Sequence, residues 1–224
     1  MGQVRVLRAG IVEYGIMNQT MKDLQDLRIR DEIPDTIIFV EHPEIVTIGP
    51  KAVREGTEVV GYPSTRTDRG GGITWHGPGQ LIAYPIIKWG KDEQNIRGII
   101  GKLEDWAIKA MEDCGIKAYK DRKMQGAWVD GHKVCSIGLS FLHWVSRHGM
   151  SINVCTPEGR VEGLEGCGMI AGLHTSLVSL GHSHDSEGCL IDCKRIENAL
   201  LEGCFENLGR YPEETAEWGL EMLV

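Results

Sequence analysis

Apolar positions recur at helical spacing in three stretches and fall into short strand-length runs in several others. Asn18 to Ile33 carries Met21, Leu24 and Leu27 on one face, with Asn18 placed as an N-cap. From Asp92 to Cys114, the residues Ile96, Ile99, Ile100, Leu103, Ala107, Ala110 and Met111 trace one helix face, and Gly115 stands where such a helix would end. A last amphipathic helix is predicted over Ile191 to Leu208, followed by Gly209. Thr36 to Val40 reads as a strand closed by Glu41-His42-Pro43, and Leu81 to Ile87 and Ser151 to Cys155 read as further strands. Ala127-Trp128-Val129 and His132 to Ile137 flank Asp130-Gly131, a strong hairpin signal. Helices and strands do not alternate as βαβ units, so the pattern predicts an α+β (α/β mixed) fold with a mixed or mainly antiparallel sheet.

The chain has 224 residues, of which 42% are hydrophobic and 25% charged. That length and balance suit a folded core and exclude disorder. No repeat, low-complexity stretch or Pro/Ser-rich linker divides it, which predicts one domain over residues 1–224. No apolar run nears the about 18 residues of a membrane helix. The N-terminus lacks a signal core or a transit pattern, and Val6 stands where a myristoylation motif wants Ser or Thr. A cytoplasmic location is expected, with no membrane partner. The net charge of −8 argues against a broad nucleic-acid surface. Seven cysteines, an odd number, suit a reducing compartment.

Four segments can carry chemistry. Arg69-Gly70-Gly71-Gly72-Ile73-Thr74-Trp75-His76-Gly77-Pro78-Gly79-Gln80 lets backbone approach a ligand, and Arg69, Thr74 and His76 offer polar contacts; a structural turn is the other reading. It is neither a P-loop nor a dinucleotide fingerprint. Lys133 follows the Asp-Gly turn. Strand alternation would put it on one face with Cys135 and Ile137, and His132, Val134 and Ser136 on the other. Gly166-Cys167-Gly168 places a thiol on flexible backbone, more accessible than Cys114 or Cys135, and a nucleophilic role needs a neighbouring cation or base. His182, His184, Cys189 and Cys193 have zinc-ligand chemistry but no standard finger spacing, and Cys189 and Cys193 can simply share a helix face. No metal is expected.

In order along the chain, these segments resemble the lipoyl(octanoyl) transferases. The resemblance rests on Glu41-His42-Pro43 with Thr47-Ile48-Gly49, on Arg69-Gly70-Gly71 through Thr74 to Leu81, and on Tyr84-Pro85. It continues through Gly131 to Lys133 with Ser136-Ile137-Gly138-Leu139, His148-Gly149 with Asn153-Val154, and Cys167-Gly168 with Thr175-Ser176-Leu177. It covers Glu41 to about Leu180. Gly166 stands where the family usually has proline.

The resemblance implies the core fold of biotin and lipoate ligases and an octanoyltransferase activity. Cys167 would take an octanoyl group from the phosphopantetheine of acyl carrier protein as a thioester, then yield it to a lysine of a lipoyl domain. The acceptors implied are lipoyl domains of 2-oxoacid dehydrogenase E2 subunits and the glycine cleavage H protein. Lys133 would pair with the Cys167 thiol and shuttle protons. The residues Arg69 to His76, Ser136, Ile137 and Gly138, and Gly149, Met150 and Ser151 would surround the acyl chain, with backbone amides facing the oxyanion. No cofactor or metal is implied beyond the donor's own phosphopantetheine. Lys117, Lys120, Arg122 and Lys123 are one docking patch for an acidic carrier, or else a solvated loop. The rivals are an ATP-dependent lipoate or biotin ligase of the same fold, and a non-catalytic thiol or zinc protein built on His182 to Cys193.

Overall fold

The computed structural model describes residues 2–122, 124–164 and 171–214. Along the chain run β1 (Gly2–Ile11), α1 (Tyr14–Ile29), β2 (Asp35–Glu41), β3 (Ile45–Ile48), α2 (Pro50–Arg54), β4 (Ser64–Arg66), β5 (Ile73–His76) and β6 (Gln80–Ile86). Next come α3 (Ile96–Asp113), β7 (Tyr119–Lys120), β8 (Ala127–Val129), β9 (His132–Lys133), β10 (Cys135–Leu142) and β11 (Val145–Asn153). The described chain closes with α4 (Cys193–Glu202), α5 (Cys204–Leu208) and β12 (Arg210–Glu214).

Six strands form the main sheet in the order β10-β11-β6-β2-β1-β12. Strands β2, β1 and β12 run parallel, whereas β2–β6, β6–β11 and β11–β10 are antiparallel, which makes the sheet mixed as expected. Both of its faces are buried. Ile37 and Phe39 of β2 and Leu81 and Ala83 of β6 face the core under α3, α4 and α5. Their neighbours Ile38, Val40, Ile82, Tyr84 and Ile86 face α1 through Met17, Met21 and Leu24. The two-residue period of the strands thus supplies two cores, which is why β2 and β6 read as continuous apolar runs. Two small sheets complete the fold, β4-β3-β5 and β7-β8-β9.

Helix α1 starts at Tyr14 with Glu13 at its N-cap, so Asn18 lies inside the helix instead of capping it. The buried stripe Tyr14, Met17, Met21, Leu24 extends one turn earlier than the expected pattern. Helix α3 is capped by the Asn95 side chain, which accepts from the Gly98 amide at 3.2 Å. The last helix is broken in two at Gly203, and its first part begins only at Cys193, capped by Asp192. Cys189 therefore lies outside the helix and does not share a helix face with Cys193. Trp106 joins α3 to α4 by donating to the Leu200 carbonyl at 2.6 Å. No helix among the described residues is long and apolar enough to cross a membrane.

Candidate active site

The site lies where β3 and β5 meet the β10–β11 end of the main sheet. Arg69 organises it. Its guanidinium is buried and donates to the Thr47 carbonyl (2.8 Å), the Thr47 hydroxyl (2.8 Å) and the carbonyls of Gly70 and Gly72 (both 3.1 Å). A cation spending its donors on its own loop's carbonyls holds the triple-glycine turn in shape. The turn also docks on β10, where the Gly70 amide donates to the Leu139 carbonyl at 2.9 Å. Gly138 makes that approach possible, because a Cβ there would lie 2.8 Å from the Gly70 oxygen and 3.1 Å from Arg69 Cδ.

Around this loop three adjoining cavities share Thr74 and Ser136. One is an open basin of about 490 Å³ lined by Gly70, Gly71, Gly72, Ile73, Lys133 and Ile137, with Lys51 and Arg122 among its other walls. The second is a narrow, mainly apolar arm running inward past Ile137, Gly138, Ile82, Gly149, Met150 and Ser151 to Tyr14, Tyr84, His76 and His148. The third is a crevice against Trp75, Asn153, Val161, Leu164 and His174. Every binding residue named from the sequence lines one of the three.

Lys133 opens onto the basin, but not on a shared face with Cys135. Strand β9 ends at Lys133 and β10 begins at Cys135, with Val134 as the crossing point between two sheets. Val134 and Cys135 are both buried in the main core, while Lys133, Ser136 and Ile137 face the basin. Simple alternation fails because the chain changes sheets at that residue. Burial pushes the Lys133 ammonium down to about 8, partly offset by the thiol of Cys135. Burial likewise pushes the Cys135 thiol up to about 12. The amide of Lys133 donates to the Leu173 carbonyl (2.9 Å) and its carbonyl accepts from the Thr175 amide (3.2 Å), so the loop residues Leu173 to Thr175, a few positions after Cys167 in sequence, are bridged to the lysine. Cys167 itself lies outside the described residues.

His76 is held at both ring nitrogens. The Gln80 amide donates to the Trp75 carbonyl (2.9 Å) and to Asn153 Oδ1 (2.8 Å), which turns its own oxygen toward His76 Nδ1 at 2.7 Å. His76 therefore carries its proton on Nδ1 and presents Nε2 to the Thr47 hydroxyl at 3.2 Å. Burial holds its pKa well below the usual value, so it is a neutral structural group in the wall. Trp75 plays a packing role. Its indole donates to Glu44 at 3.0 Å, Glu44 accepts a fork from Arg160, and Ile73, Trp75, Val161 and Leu164 form a satellite core.

Several lining residues are not among the binding residues named from the sequence, although Tyr84 and His148 stand in motifs that carry the resemblance. Tyr14, Tyr84, His148 and His174 come from four separate segments, and only the folded chain brings them to the cavities. His174 is 7% exposed, its Nδ1 has no hydrogen-bond partner among the described residues, and burial pushes it down to about 4. His148 hydrogen-bonds Asp68 at 2.9 Å beside the Arg147–Asp68 ion pair. Of the expected docking patch, Lys120 is tied to Asp105 at 2.8 Å, Arg122 lines the basin, and Lys123 lies outside the described residues. The zinc candidates diverge: His182 faces Asp130 and His184 faces Ser183.

The buried histidines make stability depend on acid. His42 donates through Nδ1 to the Val12 carbonyl (2.6 Å) and accepts from the Tyr84 hydroxyl (2.9 Å), and burial pushes it down to about 4. His42 and His174 are thus neutral when folded, whereas an unfolded histidine binds a proton near pH 6.5. The unfolded chain gains protons first, so stability falls as pH drops from about 6.5 toward 4, by about 1.4 kcal/mol per pH unit per group. Thermal denaturation over that window is expected to show the slope, and His42→Gln should flatten it by about one proton. An unchanged melting temperature from pH 6.5 to 4 would contradict this.

Comparison with known proteins assigns the family. Residues 17–164 match the lipoyl protein ligase A/B catalytic domain. An octanoyltransferase of Syntrophobacter fumaroxidans is 36% identical over 172 residues, 73% of this chain and 75% of that protein. One from Corynebacterium glutamicum is 35% identical over 180 residues, 77% of this chain and 71% of that protein. A lipoate-protein ligase A solved with ATP has the same fold, with a TM-score of 0.73 at 16% identity over 99% of this chain and 92% of that one. Biotin protein ligase from Aquifex aeolicus follows at a TM-score of 0.53 and 14% identity, over 93% of this chain and 70% of that one. With its glycine loop, buried lysine and two-armed cavity, the chain belongs to the lipoyl(octanoyl) transferases, acyltransferases within the lipoyl protein ligase A/B catalytic family.

Proposed function

We propose that this chain transfers an octanoyl group from octanoyl-acyl carrier protein to a lysine of a lipoyl domain, through a thioester on Cys167. The observation that carries the reading is the shape of the cavity: a narrow apolar arm meets an open polar basin at Lys133. The arm holds only about 20 Å³ between Ile82, Ile137 and Met150, so an eight-carbon chain would enter it by moving these side chains apart, leaving its thioester carbon in the basin. Leu164 lines the adjoining crevice three residues before Cys167, and three residues of chain span at most about 11 Å. Lys51 and Arg122 on the basin wall put positive charge where the phosphodiester of the carrier's arm would pass.

In the first half-reaction the Cys167 thiolate attacks the donor thioester carbon and the phosphopantetheine thiol leaves, taking a proton. In the second, the neutral amine of the acceptor lysine attacks the acyl-enzyme, an amide forms, and Cys167 departs as thiolate. Lys133, with its pKa near neutrality, stabilises the thiolate as an ammonium and gives and recovers protons in the two halves. Thioester to thioester is nearly level in energy and thioester to amide is downhill, so the reaction needs no nucleotide and no cofactor of the enzyme's own.

Two bulky protein substrates that share one nucleophile must enter in turn. Initial rates with octanoyl-loaded carrier protein and a lipoyl domain are expected to give parallel double-reciprocal lines, unaffected by ATP or chelators. Intersecting lines with an ATP requirement would transfer the chain to the ligase reading.

A further inference from the structure

The inner end of the arm is closed by the rings of Tyr14, Tyr84 and His148. Each ring is held by a hydrogen bond. Tyr14 shares one with the Thr67 hydroxyl at 2.8 Å, Tyr84 donates to His42 at 2.9 Å, and His148 Nε2 donates to Asp68 Oδ1 at 2.9 Å. Behind Tyr84 stands His42, which is fully buried. Behind His148 stands Asp68, which also lines a second cavity of about 350 Å³. Lys22 and Gln25 of α1, Phe141 and Leu142 of β10, and Arg147 form the rest of that groove's main walls. A single hydrogen-bonded pair therefore separates the acyl arm from the outer groove. The pair is braced. Arg147, itself nearly buried, forms an ion pair with the other oxygen of Asp68. His148 adopts left-handed backbone with a φ of 61°, a state that ring-bearing residues seldom take and that persists where the surroundings fix it. Burial lowers the pKa of His148 despite Asp68, so the ring that faces the arm is neutral at pH 7 and tolerates a hydrocarbon neighbour.

We propose that the Asp68–His148 pair is the partition that sets the length of acyl chain this protein accepts, by closing the arm against the outer groove. The proposal rests on the reading above that the arm holds the acyl chain. The arm's sides and its end differ in how they yield. Met150 on the side wall has a flexible side chain that moves aside for a tail. The end is fixed, because His148 is held by its carboxylate and its backbone, and the carboxylate by Arg147. An eight-carbon tail stops at the imidazole. The further methylenes of a dodecanoyl tail meet the ring and have to displace it from Asp68, and a rigid wall rejects an extra methylene by about tenfold or more. Past the partition the groove has the room, and Phe141 and Leu142 supply apolar surface for a longer tail. Asp68 is thus a positioning residue, acting on the acyl chain through His148.

The test is the ratio of kcat/KM for dodecanoyl- over octanoyl-loaded carrier protein, measured on the full chain. Both substrates are turned over by the same folded molecules, so a loss of folded enzyme cancels in the ratio. Wild type is expected to give about 0.01 or less. Asp68→Ala removes the partner of both His148 and Arg147 and should raise the ratio at least tenfold. His148→Asn withdraws the ring from the other side while tolerating left-handed backbone, and should raise it as well. Asp68→Asn keeps the volume and an oxygen to accept from His148, so it should restore a ratio near wild type. A second measurement needs no turnover. Octanoyl and dodecanoyl amides of the pantetheine arm, each with a diazirine on the last carbon, are photolysed on the enzyme and the labelled peptides mapped. The octanoyl probe should label Tyr14 or His148 in wild type, and the dodecanoyl probe Phe141, Leu142 or Lys22 in Asp68→Ala. An unchanged ratio in both Asp68→Ala and His148→Asn, or a dodecanoyl label in Asp68→Ala that stays out of the groove, would overturn the partition. Absence of octanoyl transfer by wild type with the labels placed as expected would remove the carrier-protein reading and leave the partition standing.

Discussion

Incubated with octanoyl-loaded carrier protein, the chain is expected to gain one octanoyl group on Cys167, and Cys167→Ala to lose both the adduct and roughly 10⁴-fold or more of the turnover. Cys167→Ser should also fail to accumulate the adduct, because a hydroxyl without a strong base is a far weaker nucleophile than a thiolate. Other cysteines provide the contrast. Cys135 neighbours Lys133 in space, yet burial pushes it up to about 12, which leaves a thiolate fraction near 10⁻⁵ at pH 7. It packs in the main core beside Val134 and Ile152. Cys135→Ala should therefore keep the adduct while costing about 1 kcal/mol of stability, the usual scale for a small core deletion. Cys155 and Cys189 are exposed and are the candidates for stray acylation. Peptide mapping separates the cases: an adduct on Cys155 or Cys135, or full turnover by Cys167→Ala, removes Cys167 from the nucleophile's role.

The parts of this site that could be read from the sequence are those whose chemistry is local. Asp130 and Gly131 both adopt left-handed backbone, the geometry of a two-residue hairpin turn, so the turn that delivers Lys133 is written in two adjacent residues. The glycines of the Arg69 loop likewise declare close backbone approach, realised where the loop meets Gly138. What could not be read was set by packing between distant segments. Tyr14 looked like chain preceding a helix, yet it begins α1 and its ring reaches the inner arm beside His148. Strand β1 gave no signal because its alternation of Val4 and Val6 with Arg5 is short, and its parallel partners Ile37 and Pro212 come from opposite ends of the chain. The face of Lys133 was misread for the same reason. Alternation is a rule for one sheet, and the chain crosses between two sheets at Val134.

Lys133→Met is expected to stop turnover and at the same time raise thermal stability at neutral pH. The stability gain follows from the direction of the shift. An unfolded lysine titrates near 10.4, while burial brings folded Lys133 down to about 8. Below pH 8 the side chain is charged in both states and only the folded one bears the desolvation cost, so the native lysine destabilises the fold throughout that range. The cost fades as pH rises from about 8 to 10.4. Replacing the ammonium with an apolar group of similar length should recover on the order of 1–3 kcal/mol at pH 7, shrinking toward pH 10. Lys133→Arg separates charge from proton transfer. Guanidinium keeps the positive charge but does not release a proton in this range, so alkylation of Cys167 at pH 7 should stay faster than in Lys133→Met while turnover is still lost. Room is limited, since a Cβ at Gly126 would lie 2.7 Å from Lys133 Cε, and the arginine variant should therefore also melt below Lys133→Met. Equal alkylation–pH profiles for wild type, Lys133→Arg and Lys133→Met would detach Lys133 from the thiol. A Lys133→Met protein less stable than wild type at pH 7 would show that another group already compensates the buried charge.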